Sequence, residues 1–389
     1  MEKRSNVQDM VKGALIIAVI FFHATLFRDP NIVIEFNFLV ALFPCVLGVF
    51  FFYAGYNYTT GKRTIKENII RRTKQLIIPL IILILVDLLV SLSIQLIIKD
   101  YDFTSTGQSF LRFIASEGGA TFWNIDVSKA YYEFYLPFSV LWYLYVLYII
   151  SVIFYLIVDK IIIKLPRFII TISILVISSF IMGQFVGTIL PYSIQSYPLI
   201  LAIMLTGAYF SKNNLLDREI NDKRTVVIAL TKIVVSEIII LGISLTCYYA
   251  FGAKLVGALV VGAFSYIMKG FDAIIVYIMA IAGVIEFHNL MKLLNKIRII
   301  SVFFSYIGRR VSYVYITHTI FLVYIHVIIF KRNFYTLGAF QPFAYTFMTL
   351  ILFILISLLI NYLIKKRKNN IKEECVNEWN RWLYIWRYL

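Results

Sequence analysis

Asp9, Lys12 and His23 are the ionisable residues of the first apolar stretch of this chain, in which Lys12 is followed by Gly-Ala-Leu-Ile-Ile-Ala-Val-Ile-Phe-Phe and then His23. An α-helix turns about 100° per residue, so eleven steps close three turns to within about 20° and span about 16 Å. Lys12 and His23 therefore share one stripe of one helix, and Asp9, three residues earlier, is placed to pair with Lys12 on the same face. Ionisable side chains at membrane depth are costly and usually face a protein interior or a water-filled cavity. An acid and a base at the root of a helix, with an imidazole deeper on the same face, have the form of a pathway across a bilayer. Two plainer readings stand beside this one: Lys12 as a headgroup anchor, and His23 as a packed, hydrogen-bonded core residue.

A second constellation follows the next apolar run. Phe51-Phe-Tyr-Ala-Gly55-Tyr56 leads into Lys62, Arg63, Lys66, Arg71, Arg72 and Lys74, six cations within thirteen residues, and then Pro79. Cations at that density hold the phosphates of a nucleotide-bearing donor such as a coenzyme A thioester. Ordinary cytoplasmic charge bias is the alternative for any one of them. Asp87, Glu237 and Asp272 lie inside apolar runs and are functional candidates by default, whereas His288 and His326 read as structural. No metal-ligand set is read from the chain.

The elements that carry these groups are membrane helices. Of 389 residues, 61% are hydrophobic and 15% charged, and apolar runs of about 18 residues or more recur throughout, as a hydrocarbon core of roughly 30 Å requires. The fold expected is all-α, with about ten transmembrane helices near 11–27, 38–58, 75–98, 138–158, 168–188, 195–211, 226–249, 271–287, 311–330 and 342–364. The net charge of +16 does not indicate nucleic acid, because the cations fall in alternate loops. Of 37 Lys and Arg residues, only Arg28, Lys99, Arg112, Lys129, Lys254, Lys269, Lys331 and Arg332 lie on the minor side. That asymmetry places both termini in the cytoplasm and His23 toward the outer half of its helix. Cys45, Cys247 and Cys375 imply no disulfide framework, and the first run lacks a cleavage site for a signal peptidase.

Three other segments stand out. The outer stretch 99–137 gathers Asp100, Asp102, Glu117, Asp126 and Glu133 with Trp123, Tyr131, Tyr132 and Tyr135. It suits a lid facing a sugar, and equally an ordinary solvated loop. Gly-rich 250–270 reads as re-entrant or interfacial. In residues 369–389, Trp379, Trp382 and Trp386 share one helix face, as in an amphipathic tail lying on the cytoplasmic leaflet.

Taken together, Asp9…Lys12…His23, Phe51 to Tyr56, the basic run ending in Leu76-Ile-Ile-Pro79, Leu141-Trp142-Tyr143-Leu144, and Ile307-Gly308…Ser312…Tyr315…His318 resemble the motifs of the acyltransferase-3 family of integral-membrane acyltransferases, in the family's order. The resemblance covers most of residues 5–365, and residues 1–368 form the corresponding transmembrane domain. Lys12 stands where the family usually has Arg, Ala54 where it has Ser, and Arg71-x-x-Lys74 where it has Arg-x-x-Arg. Lysine at the first position resembles the branch that includes fucose O-acetylases and intercellular-adhesin-type proteins. The resemblance implies transfer of an acyl group, acetyl or succinyl, from cytoplasmic acyl-CoA (acetyl-CoA the first choice) to a hydroxyl of a cell-surface polysaccharide or lipid-linked sugar. It also implies residence in the cell membrane, with no resident cofactor and no nucleic-acid partner; a homodimer is compatible with it.

In that reading His23 is the general base, with a transient acyl-histidine as the alternative. Asp9 and Lys12 shape the donor passage, and Arg71, Arg72 and Lys74 bind the phosphates. Trp142, Glu133, Ser312 and His318 belong to the acceptor side, where a core His318 bonded to a carbonyl is the alternative. A polysaccharide exporter or flippase is the competing function, although the internal repeat common in transporters is not found. A structural partner of a glycan synthase has no positive feature in the sequence.

Overall fold

The computed structural model describes residues 6–25, 46–82, 85, 89, 142–185, 194, 196–216, 219–251, 271–324 and 341–370. Among them all regular structure is helical. The helices are α1 (Asn6–Thr25), α2 (Val46–Tyr56), α3 (Ile65–Arg72), α4 (Trp142–Ile161), α5 (Leu165–Phe185) and α6 (Tyr197–Lys212). They continue with α7 (Lys223–Phe251), α8 (Phe271–Leu294), α9 (Arg298–Gly308), α10 (Val311–Tyr324) and α11 (Gln341–Asn370). Four of them contain spans long and apolar enough to cross a bilayer: Tyr143–Ile161, Leu165–Gly183, Lys223–Cys247 and Ala273–Leu294. The described residues are thus all-helical, with the apolar spans of a membrane protein. The outer stretch 99–137, the Gly-rich segment 252–270 and the tryptophan-bearing tail lie outside the described residues.

Local signals start and stop the helices as their chemistry dictates. Thr64 caps α3, its hydroxyl accepting from the Glu67 N–H at 3.2 Å while the Glu67 carboxylate accepts from the Thr64 N–H at 2.8 Å, a reciprocal capping box. The helical path then widens into a π-turn at Thr73–Ile77. Pro198 sits in the first turn of α6, where its missing N–H costs nothing.

Hydrogen bonds between distant segments gather the cation-rich ends on one face. Tyr58 donates to Asp159 Oδ2 at 2.8 Å, joining the end of α2 to the end of α4. Lys212 Nζ donates to the Ile162 carbonyl at 3.1 Å, and Lys292 Nζ donates to the Leu216 carbonyl. Asn6 Nδ2 bridges to Asn295 Oδ1 and Ser301 Oγ at 2.7 Å each, tying the start of α1 to the turn after α8 and to the first turn of α9. At the other end of α1, Phe21 meets Phe343 at 4.9 Å between ring centroids. α11 therefore begins where α1 ends, and the two run antiparallel.

The core follows the motif helices. α1 packs on α9 and α2 on α6, and the apolar centre is built of Met10, Leu15, Ile16, Phe51, Phe52, Phe154, Leu199 and Ile200, each fully or almost fully buried. The outer faces of α5 and α7 carry exposed Ile170, Ile174, Ile177, Val227, Val234 and Ile238, as lipid-facing surfaces do.

Candidate active site

Asp9 and Lys12 sit where α1 crosses α9, and the crossing is closer than side chains permit. A Cβ at Gly308 would lie 1.7 Å from the Asp9 carbonyl oxygen, and one at Gly13 would lie 2.1 Å from the Phe304 carbonyl oxygen. Each helix thus sets its glycine against the backbone of the other. Asp9 is 2% exposed and Lys12 half-buried, one turn apart. Gly308, from the late motif, is what lets Asp9, from the first motif, be buried. His23 stands on α1 eleven residues beyond Lys12, about 16 Å along the axis; its side chain is outside the described residues.

A second motif glycine makes the neighbouring crossing. A Cβ at Gly55 would fall 1.9 Å from the Met204 carbonyl oxygen, and one at Gly207 would fall 2.1 Å from that of Phe52. This holds α2 against α6 and fixes the aromatic face of α2. From that face Phe51 meets Tyr143 of α4 at 4.8 Å, Tyr143 meets Tyr315 of α10 at 5.3 Å, and Tyr315 meets His318 at 5.5 Å between centroids. Three motif segments separated by long stretches of chain thus converge on one buried aromatic junction. Tyr143, beside the predicted Trp142, is its centre. The Trp142 side chain lies outside the described residues.

His318 is fully buried, and its Nδ1 donates to the Tyr315 carbonyl at 2.5 Å. That is the core arrangement weighed as the alternative from sequence, and it sets His318 behind Tyr315. Ser312 is half-buried in the first turn of α10. Glu133 and Asp87 lie outside the described residues, as does the side chain of Asp272.

The predicted phosphate-binding cations are organised by α4. Arg72 Nε donates to the Tyr155 hydroxyl at 2.9 Å, and Thr73 Oγ1 hydrogen-bonds the Tyr148 hydroxyl at 3.0 Å. Tyr148 and Tyr155 are seven residues apart on one stripe of α4, so they dock α3 and its π-turn along it. Arg72 also lies within electrostatic reach of the Tyr143 phenol, which links the cations to the aromatic junction. Arg71 and Lys74 are exposed. Partial desolvation first, then the charges of Arg63 and Arg72, hold the Arg71 guanidinium below its usual value. Cations crowded in this way favour an anion among them.

Other cations do the plainer work of closing helix ends. Arg167 donates to the Lys160 carbonyl at 2.9 Å and Arg310 to that of Tyr306 at 3.2 Å, beside the Lys212 and Lys292 contacts already described. Positive charge at helix C-termini also complements the macrodipole.

Two polar features were not foreseen as pairs. His288, taken from sequence as a structural residue at a helix end, is buried within α8, with Nδ1 2.7 Å from the Tyr53 hydroxyl of α2. Glu237 of α7 gains a partner: Glu286 of α8 stands close enough for one carboxyl to hydrogen-bond the other. The sequence signal for Glu286 was present, but the span predicted to close at 287 put it at the membrane edge. Among the described residues no group of three or more His, Cys, Asp or Glu is placed to hold a metal ion.

A family model described as an acyltransferase domain matches residues 8–362, which takes in every motif residue from Asp9 to His318. No curated protein and no solved structure matches the chain.

Proposed function

Because the chain belongs to the acyltransferase-3 family and is an acyltransferase of membrane type, we propose that it moves an acyl group, acetyl in the first instance, from cytoplasmic acyl-CoA to a hydroxyl of a cell-surface polysaccharide or lipid-linked sugar. The observation that carries this reading is the glycine crossing of α9 on Asp9, which builds the first and last motifs into one unit at the root of the helix that bears His23.

In the proposed reaction His23 takes the proton of the acceptor hydroxyl, whose oxygen attacks the thioester carbonyl. The carbon–sulfur bond breaks, an ester forms, and the thiolate leaves and is protonated to free coenzyme A. A neutral imidazole suits this step near pH 7. Arg71, Arg72 and Lys74 hold the donor's phosphates on the cation-rich face, and the Asp9–Lys12 root of α1 borders the donor's path. Trp142, Glu133 and Ser312 are assigned to the acceptor side, with His318 supporting Tyr315.

The test pairs His23→Ala with Lys12→Arg and Lys12→Gln, scored by mass spectrometry of the surface glycan and by export of the polymer. His23→Ala and Lys12→Gln are expected to abolish acyl incorporation while polymer still leaves the cell, and Lys12→Arg to retain it. Near-wild-type acylation in His23→Ala removes the base assignment. Loss of export with unchanged polymer chemistry supports a flippase instead.

A further inference from the structure

Arg72 differs from the cations beside it. It is half-buried where Arg71 and Lys74 are exposed, and it lies within electrostatic reach of the Tyr143 phenol at the aromatic junction. Its Nε donates to the Tyr155 hydroxyl at 2.9 Å, and Tyr155 is 9% exposed. A guanidinium carries five N–H donors in one rigid plane. A hydroxyl on Nε takes one of them and leaves the four of the two terminal nitrogens, an edge that can meet a phosphate with two parallel hydrogen bonds. The anchor is also neutral, so it orients the cation without cancelling its charge.

A carboxylate stands one helical turn away and is kept occupied. Asp159 follows Tyr155 by four residues on α4, the spacing of a single helix face. Its Oδ2 accepts from the Tyr58 hydroxyl at 2.8 Å, while its Oδ1 is buried with no hydrogen-bond partner among the described residues. An oxygen in that state has much to gain from a cation. Among the described residues, however, no carboxylate is paired with Arg72. Tyr58 also packs on Tyr155 at 5.9 Å and on Phe154 at 5.4 Å between ring centroids. One phenol thus braces the anchor of Arg72 and holds the nearby acid.

We propose that Tyr155 is a positioning residue of the donor site, presenting the terminal edge of Arg72 to the diphosphate of acyl-CoA, and that Tyr58 protects this contact by holding Asp159 away. The inference rests on the reading of acyl-CoA as the donor. In coenzyme A the diphosphate adjoins the arm that bears the thioester, whereas the 3′-phosphate sits at the far end, on the ribose. The innermost cation takes the phosphates nearest the reacting carbonyl, which leaves the exposed Arg71 and Lys74 for the outer one.

The test uses the full chain in inside-out membrane vesicles from polymer-producing cells, with transfer normalised to folded protein. Three labelled donors are compared: acetyl-CoA; acetyl-dephospho-CoA, which keeps the diphosphate and lacks the 3′-phosphate; and S-acetyl-N-acetylcysteamine, which has no phosphate. Tyr155→Phe is expected to raise KM about fivefold for the first two, the worth of one ordinary hydrogen bond. It should leave kcat, and both constants for the third donor, unchanged. Tyr58→Phe is expected to raise the same two KM values, and Asp159→Asn added to it to restore them. A fall in kcat, or a shift shared by all three donors, means that Tyr155 is merely structural and overturns the proposal, as do wild-type constants in Tyr155→Phe. Tyr58→Phe without a loss, or with a loss that Asp159→Asn leaves in place, overturns the role of Tyr58. A loss confined to acetyl-CoA overturns the diphosphate assignment in favour of the 3′-phosphate. If the wild type itself uses all three donors equally well, or none of them, the acetyl-CoA reading falls and this proposal with it.

Discussion

Replacing Gly308 by alanine is the sharpest test of how the candidate site is positioned. The added Cβ would stand 1.7 Å from the Asp9 carbonyl oxygen, 2.6 Å from its carbon and 2.9 Å from the Gly13 nitrogen, where ordinary contact begins at 3.4 Å. All three neighbours are backbone, so no side chain can swing aside, and α9 must part from α1 by about 1.7 Å. Overpacking of this kind costs about 1–3 kcal/mol of stability. Asp9, Lys12 and His23 ride on the displaced helix, and a misplacement of about 1 Å costs about a hundredfold in rate. Gly308→Ala is therefore expected to fold with a lowered Tm and to transfer acyl groups at about one-hundredth of the wild-type rate per folded molecule, or less.

Gly242→Ala is the control, because nothing lies within 4 Å of the added atom. It should keep full activity and gain up to about 1 kcal/mol from the helix preference of alanine. The assay is transfer from labelled acyl-CoA in reconstituted membranes, normalised to folded protein, alongside thermal unfolding in detergent. If Gly308→Ala and Gly242→Ala behave alike in both measurements, the crossing does not position the site.

Three further outcomes follow from other contacts. Arg71→Gln, Arg72→Gln and Lys74→Gln together should raise the KM for acyl-CoA about tenfold or more with little change in kcat, since phosphate recognition is uniform binding; unchanged binding of labelled donor refutes this. Tyr53→Phe leaves the buried His288 Nδ1 without its hydroxyl and should cost about 1–3 kcal/mol in thermal unfolding, whereas an unchanged Tm shows the bond to be dispensable. The Glu67 carboxylate is held below its usual value, first by the Thr64 backbone N–H and then by the Thr64 side chain. Its contribution to α3 is thus present above the unfolded-state pKa and lost as pH falls through the lowered folded-state value. Hydrogen exchange of the first turn of α3 should accelerate on acidification below the ordinary glutamate range. Thr64→Ala should show that acceleration already at neutral pH, and pH-independent protection refutes the cap.

Helix positions could be read from the sequence because apolar runs in a membrane have one local solution. Charge bias, on which the expected sidedness of the loops rests, is local too. The motif glycines were visible, but their purpose was not, since Gly308 acts on Asp9 and Gly55 on Met204, far away in the chain. No span was drawn over α9, whose 11 residues, lying among Lys296, Arg298, Arg309 and Arg310, are too few to cross a bilayer. Its amphipathic face acquires meaning only against α1. The Tyr53–His288 tie crosses 235 positions, and no spacing rule reaches that far. Glu286 was overlooked for a local reason: α8 runs to Leu294, several residues beyond where hydropathy ends it.

The bond between Asn6 and Ser301 joins residues 295 positions apart, and this has a consequence for biogenesis. α1 leaves the ribosome almost 295 residues ahead of its packing partner α9. At about 5–20 residues per second, the first helix waits roughly 15–60 s before Gly308 exists to cover Asp9. Through that interval a carboxylate destined for burial must stay near the aqueous surface or borrow another partner. Chains cut short before α9 would keep that exposed helix, which gives quality control a feature by which to recognise them.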